Sequence, residues 1–307
     1  MRAFEVFSAK DSQHAVALLA QHAATSKVKV LAGGTDLMAD LKFAPSSHAP
    51  AVVVDISRVD DFRGIKKTKE GLSIGSLVTH TEIMHSPIIR DLFPALVDAA
   101  HTIGAVQTRN LGTLGGNLVT AVPSVDSGPT LVALDAIVTI LGPGGKRHMP
   151  LAEFFVGPRK TVLKSDELLA EIIIPTENLG KPTHFLKFGL RKGQALALVN
   201  VASSIWIDWD THTFKAARVA LGAVAPKVIH ATSAESFLEG RPITPEAMEE
   251  AGKLASGDAK PISDMRASAE YRKDLITVLT KRTLEGAYAL ARLRQGSGEA
   301  GNRRSEK

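Results

Sequence analysis

The sequence has 307 residues, 44% hydrophobic, 22% charged and 5% aromatic, with a formal net charge of +5. That is globular composition, and at roughly 100 to 200 residues per domain it predicts two or three domains. Cysteine is absent, which excludes disulfides, thiolate zinc sites, cysteine nucleophiles and cysteine-ligated iron–sulfur clusters, so any redox role needs a bound cofactor.

The excess of 37 basic over 32 acidic residues is spread along the chain, with part of it in the tail at Arg292, Arg294, Arg303, Arg304 and Lys307. Two Trp and two Tyr supply few stacking platforms, so nucleic-acid binding is not expected. No window approaches the run of about 18 apolar residues that a membrane span needs. Met1 to Glu5 opens no secretory h-region, and a soluble cytoplasmic protein is expected.

In chain order, Ala15, Val16, Leu18 and Leu19 share one helical face between Asp11 and His22. Val28 to Leu31 reads as a strand entering Ala32-Gly33-Gly34, Thr35 as a cap for a helix through Leu37 and Leu41, and Ala51 to Ile56 as a buried strand. The first 55 or so residues therefore predict a small α/β unit with a parallel sheet. Hairpins follow, around Glu70-Gly71 and around Gly142 to Gly145, with helices over Pro94–Ile103 and Val125–Leu134 and a closing strand over Leu168–Ile174. Thr183–Leu190, Ala197–Asp208 and Phe214–Leu221 predict a meander. Thr244-Pro245 opens a helix, and Ser268–Leu293 carries a helical stripe. Residues 295–307 have almost no apolar content and predict disorder.

Two glycine-bearing segments stand out. In Lys29-Val30-Leu31-Ala32-Gly33-Gly34-Thr35-Asp36-Leu37, a strand feeds a small-residue turn and a helix start, where free N–H groups suit a phosphate or pyrophosphate. The segment reads equally as a tight turn with no ligand, and it is neither G-x-G-x-x-G nor a P-loop. Gln107 to Leu118 alternates Gly112, Gly115 and Gly116 with Leu111, Leu114 and Leu118 in an irregular stretch, and those leucines call for burial. Two such segments suit one extended ligand held from two sides, such as a dinucleotide.

Other patterns are weaker. Gly71-Leu72-Ser73-Ile74-Gly75 fits G-x-S-x-G but lies in a hairpin without the following helix. His80 and His85 are about 140° apart on a helix, unlike an H-E-x-x-H pair, and read as surface residues. No metal site and no acid–base constellation is expected. Phe154 to Lys160 reads as a bend, with Arg159 and Lys160 in a solvated turn or facing a partner.

Taken together, Ala32–Leu37, the run Gln107–Asn117, Ala121-x-Pro123-x-x-Asp126, Lys187–Ala195 and Ser268–Leu275 resemble the FAD-binding medium subunits of molybdenum hydroxylases. That family includes carbon monoxide, xanthine, nicotinate and aldehyde dehydrogenases. The resemblance runs in order to about Leu293. It implies an α+β fold with an N-terminal α/β unit. A two-part FAD-binding domain (1–55 and 56–176) would precede a C-terminal three-stranded antiparallel sheet with helices (177–294) and a disordered tail (295–307).

The resemblance also implies roles. Lys29 to Leu37 and Gly112, Thr113, Gly115, Gly116 and Asn117 would cradle the FAD pyrophosphate and ribityl chain, Ala32–Asp36 and Thr113–Asn117 doing so through backbone N–H groups. Ile103 and Gly104 would lie beside the flavin and adenine, and Val119 and Leu169 would be further contacts. Asp126 would bond the cofactor's sugar or base. Lys187 would stand near the flavin ring and tune its potential, although an edge-strand lysine also reads as solvated. Val122 and Val125 depart from the family's small residues, and the absence of cysteine excludes the extra cluster of the hydroxybenzoyl-CoA branch.

The function implied is electron transfer within a multi-subunit dehydrogenase, with no catalytic residue in this chain. A large molybdopterin subunit would oxidise substrate. A small subunit would pass electrons from two [2Fe-2S] clusters to FAD, and an external quinone, cytochrome, NAD or oxygen would receive them, in a dimer of heterotrimers. Two other readings are a stand-alone FAD oxidase and an assembly subunit that has lost FAD.

Overall fold

The computed structural model describes residues 3–43 and 49–305. The chain forms, in order, β1 (Glu5–Ser8), α1 (Ser12–Ala23), β2 (Val28–Leu31), α2 (Leu37–Phe43), β3 (Val52–Asp55), β4 (Ile65–Lys67), β5 (Gly71–Gly75) and α3 (His80–His85). Next come α4 (Pro87–Leu92), α5 (Pro94–His101), α6 (Val106–Leu111), α7 (Leu114–Thr120), α8 (Ser127–Ala133), β6 (Ile137–Gly142), β7 (Gly145–Pro150) and α9 (Leu151–Phe154). The remainder is β8 (Phe155–Gly157), β9 (Lys160–Thr161), β10 (Leu168–Pro175), β11 (Thr183–Gly189), β12 (Ala197–Asp208), β13 (Thr213–Gly222), β14 (Ile229–His230), α10 (Thr232–Leu238), α11 (Pro245–Asp258) and α12 (Ala269–Ser305).

These elements form two compact units, the first made of the residues up to Ser86 with Ile103–Val122 and Asp135–Leu179. Its smaller sheet is parallel, in the order β1-β3-β2. The β-branched run Val52-Val53-Val54 takes the central strand because it is apolar on both faces, and burial there contributes on the order of 1.5–3 kcal/mol per side chain. Asp11 caps α1 by accepting the His14 N–H at 2.7 Å, which directs Ala15, Val16, Leu18 and Leu19 into the core against this sheet. The larger sheet is antiparallel, five-stranded and ordered β4-β5-β10-β6-β7. Phe154 to Lys160 is the end of α9 followed by the small β8–β9 hairpin, with Arg159 in its turn at φ 56°.

The second unit comprises Pro87–Thr102, Pro123–Leu134 and the chain from Gly180. Its antiparallel sheet has the order β11-β12-β13-β14. The expected three strands are present, and a fourth joins them. Ile229–His230 is only a two-residue strand, too short to leave a periodic signal. The long strand β12 is buried along its first nine residues. α12 and the wholly buried α8 pack against it, and β13 flanks it in the sheet. Thr244 caps α11 by accepting the Ala247 N–H at 3.1 Å, with Pro245 in the first turn as its missing donor allows.

α12 continues through Ser305, so residues 295–305, expected to be disordered, extend a helix instead. Low apolar content does not preclude a helix, which can propagate along a polar stretch that contains no proline. Residues 306–307 of the same expectation lie outside the described residues. Among the described residues no helix is long and apolar enough to cross a membrane.

Candidate functional site

The first glycine segment leaves β2 at Leu31, turns through Ala32 to Asp36 and enters α2 at Leu37. Lys29 is exposed on β2, whereas Val30 and Ala32 pack against the core of the first unit. Gly34 sits at φ 72°, a conformation that only glycine adopts without strain. Its carbonyl accepts the Met38 N–H at 2.9 Å. Among the described residues the N–H groups of Gly33, Gly34, Thr35 and Asp36 have no partner. They form a small cluster of open donors on a half-exposed turn, the chemistry that an anionic group requires.

The second segment is not the irregular loop that its composition predicts. It is two short helices, α6 and α7, joined only by Gly112 and Thr113. Thr113 caps α7, its hydroxyl accepting the Gly116 N–H at 3.0 Å. Gly115 occupies the first turn because a Cβ there would lie 2.5 Å from the Cβ of Ser76, to whose carbonyl Gly115 donates at 2.9 Å. Leu114 and Leu118 are buried as expected, but Leu111 is 61% exposed. The reason is that Leu111 ends α6, a helix with no buried residue.

The two segments meet within the first unit. A Cβ on Gly33 would lie 1.9 Å from the carbonyl oxygen of Leu111, so the turn closes directly on main chain. A Cβ on Gly112 would stand 3.5 Å from Thr35 Oγ1, and Thr120 Oγ1 donates to Asp36 Oδ2 at 3.4 Å. Their donors differ, however. The N–H groups of Leu114, Gly115, Gly116 and Asn117 are bonded to Val78 O, Ser76 O, Thr113 Oγ1 and Thr113 O. A main-chain cradle over Thr113–Asn117 is therefore largely satisfied inside the chain, because helix α7 and its cap consume those donors. The open donors belong to the first turn, and the second segment forms its wall.

Ile103 and Gly104 precede α6, and the Arg109 guanidinium donates to the Ile103 carbonyl at 3.0 Å. Val119 is an exposed residue of α7, while Leu169 is buried in β10 opposite Ile140. His80, expected at the surface, is 2% exposed, whereas His85 is exposed. The angular separation that argues against a metal pair also lets one ring bury while the other faces solvent. Burial, with the Arg109 charge adding to it, lowers the His80 pKa to about 4.

In the second unit, Lys187 on edge strand β11 is not a solvated lysine. Its Nζ lies 2.5 Å from Asp126 Oδ2 and donates to Thr102 O at 3.1 Å, with the two side chains 7% and 10% exposed. Asn200 Nδ2 donates to Asp126 Oδ1 at 2.9 Å. Burial pushes the Asp126 carboxyl up, against the opposing pull of Lys187 and then Asn200. Asn200 has no place in the sequence reading, since a lone Asn in an apolar strand carries no motif. Val125 is buried, and Ser73 lies in β5 donating to Glu171 Oε2 at 2.6 Å. Among the described residues no group of three or more His, Asp or Glu is placed to hold a metal.

Residues 2–177 match the family described as the FAD binding domain in molybdopterin dehydrogenase. The chain belongs to that family. Residues 184–287 match the CO dehydrogenase flavoprotein C-terminal domain, so the two family models follow one another along the sequence.

The chain is 31% identical to the carbon monoxide dehydrogenase medium chain of Hydrogenophaga pseudoflava, over 93% of this chain and 97% of that one. It is also 31% identical to the nicotinate dehydrogenase FAD-subunit of Eubacterium barkeri, over 92% and 95% respectively. Among solved structures, carbon monoxide dehydrogenase from H. pseudoflava lacking the Mo-pyranopterin moiety superposes with a TM-score of 0.88 at 31% identity, covering 94% of this chain and 98% of that chain. Reconstituted CO dehydrogenase from Oligotropha carboxidovorans gives a TM-score of 0.88 at 27% identity, covering 94% and 99%. This family member is thus an FAD-binding subunit of the molybdenum hydroxylase class of oxidoreductases, with the mixed helix and strand fold of those medium chains.

Proposed function

We propose that this chain is the electron-transfer flavoprotein of a molybdenum hydroxylase. In this reading it receives electrons from the [2Fe-2S] clusters of a small partner subunit and passes them to an external acceptor. A large molybdopterin subunit completes a heterotrimer, two of which pair, in the cytoplasm. The observation that carries the reading is the turn Gly33–Asp36, with open donors and no room for a side chain at Gly33, inside the matched FAD-binding segment.

The protein's part follows from its own residues. The N–H groups of Gly33, Gly34, Thr35 and Asp36 hold a pyrophosphate, with Lys29 to Leu31 and Leu37 fixing the strand and helix at either side. Gly112, Thr113, Gly115, Gly116 and Asn117 supply the wall behind them, and Ile103, Gly104, Val119 and Leu169 are taken as contacts by family resemblance. FAD, when bound, supplies the capacity to accept electrons singly and release them in pairs. Lys187 acts as half of an ion pair with Asp126, so its charge is offset rather than free. The division into segments 1–55, 56–176 and 177–294 belongs to the same proposal.

The purified chain tests this. A flavin spectrum from about 300 to 550 nm, FAD identified by mass in the released cofactor, and its loss on Gly34→Val in a folded protein are expected. A folded chain that takes up no flavin on reconstitution would favour the assembly-subunit reading. Bleaching by substrate without partners would favour the stand-alone oxidase.

A further inference from the structure

His80 lies beside Gly112 without belonging to either glycine segment. Its helix is fixed by a reciprocal cap, in which Thr79 Oγ1 accepts the Glu82 N–H at 3.1 Å and the Glu82 carboxylate accepts the Thr79 N–H at 2.6 Å. From that anchored start the His80 N–H donates to the Gly112 carbonyl at 3.1 Å. The ring's Cδ2 is 3.5 Å from the point a Gly112 Cβ would take, ordinary van der Waals distance, so the imidazole packs beside Gly112.

A ring that only filled space would be better served by carbon. His80 Nδ1 is buried without a hydrogen-bond partner, an arrangement that costs the hydration of a polar atom and returns nothing to folding. Since its pKa is about 4, the ring is neutral near pH 7 and brings polarity without charge beside Gly112. It abuts Gly112, whose neighbour Leu111 carries the carbonyl on which Gly33 closes.

We propose that His80 is a positioning residue of the cofactor site, holding Gly112, and through it the Leu111 carbonyl on which Gly33 closes, so that the Gly33–Asp36 turn keeps its donors aimed outward. The inference rests on the reading that this turn grips the FAD pyrophosphate. Its action is indirect, through Gly112 and the Leu111 carbonyl, and it takes no part in electron transfer.

The test is FAD titration of the apo full-length chain, followed by flavin fluorescence, for wild type, His80→Phe, His80→Leu and His80→Gln, with the melting temperature of each. His80→Phe is expected to bind FAD at least about tenfold more weakly at a near-unchanged melting temperature. His80→Gln, which keeps a neutral polar group, is expected to recover most of the affinity. Wild-type affinity in His80→Phe, or equal weakening in His80→Phe and His80→Gln in step with lost stability, would overturn the proposal. Should His80→Phe not fold, the smaller His80→Leu decides: weaker binding at a near-unchanged melting temperature supports the proposal and wild-type affinity overturns it. A wild-type chain that binds no FAD would instead overturn the cofactor reading itself.

Discussion

The carbonyl oxygen of Leu111 lies 1.9 Å from the point at which Gly33 would carry a Cβ. Two segments far apart in sequence are therefore in main-chain contact. Gly33→Ala should force them apart. The expected cost is about 1–3 kcal/mol of stability from overpacking, read by urea denaturation, with FAD content per purified chain falling sharply.

Removing one partner of the Lys187–Asp126 pair should be more damaging than removing both. Asp126→Ala leaves a buried ammonium uncompensated, and a loss of about 3–5 kcal/mol is expected. Lys187→Met with Asp126→Leu should recover a large part of it. Chemical denaturation of the two single variants and the double variant gives the coupling energy directly, and additive effects would contradict a buried pair.

His80 should make stability depend on pH in a definite direction. Its pKa falls from 6.5 to about 4 on folding, so between those values the unfolded chain holds the proton and the folded chain does not. The His80 contribution is present above pH 6.5 and is lost as pH falls towards 4, at up to about 1.4 kcal/mol per pH unit. The difference in unfolding free energy between wild type and His80→Gln, measured across that range, should show this slope.

Asp264 should act at lower pH. Main-chain bonding from Arg266 leads the effects that hold its carboxyl at about 2, with Ala267 and Arg272 adding to it. A lowered carboxyl stabilises above the ordinary value of 3.8 and stops doing so as pH falls through 2. Asp264→Asn should therefore melt below wild type at pH 7, by circular dichroism, and the gap should narrow from pH 4 downward.

Periodic features were legible in the sequence. The helix capped by Asp11, the buried Val52–Val54 strand and the Gly142–Gly145 hairpin each carry their signal within a few residues. The glycine turn was readable for the same reason, since Gly33 and Gly34 mark a local backbone requirement. What escaped depends on distant partners. His80 is buried beside Gly112, which lies 32 residues further along the chain, Asn200 matters because Asp126 stands beside it, and Leu111 is exposed because α6 has no covered face. The Gln107–Leu118 stretch reads as irregular because three glycines depress helix propensity, yet Thr113 caps a helix there and Ser76 packs against it.

The second unit takes Pro87–Thr102 and Pro123–Leu134 from the first half of the chain. α8, within the second of those stretches, is buried along its whole length, and it packs against β12 and β13. The two family segments are therefore not interchangeable cassettes. A gene cut between residues 177 and 184 would strand two inserts with the wrong fragment and strip the C-terminal sheet of part of its cover. Recombination or engineering in this family has to exchange the flavoprotein as one piece.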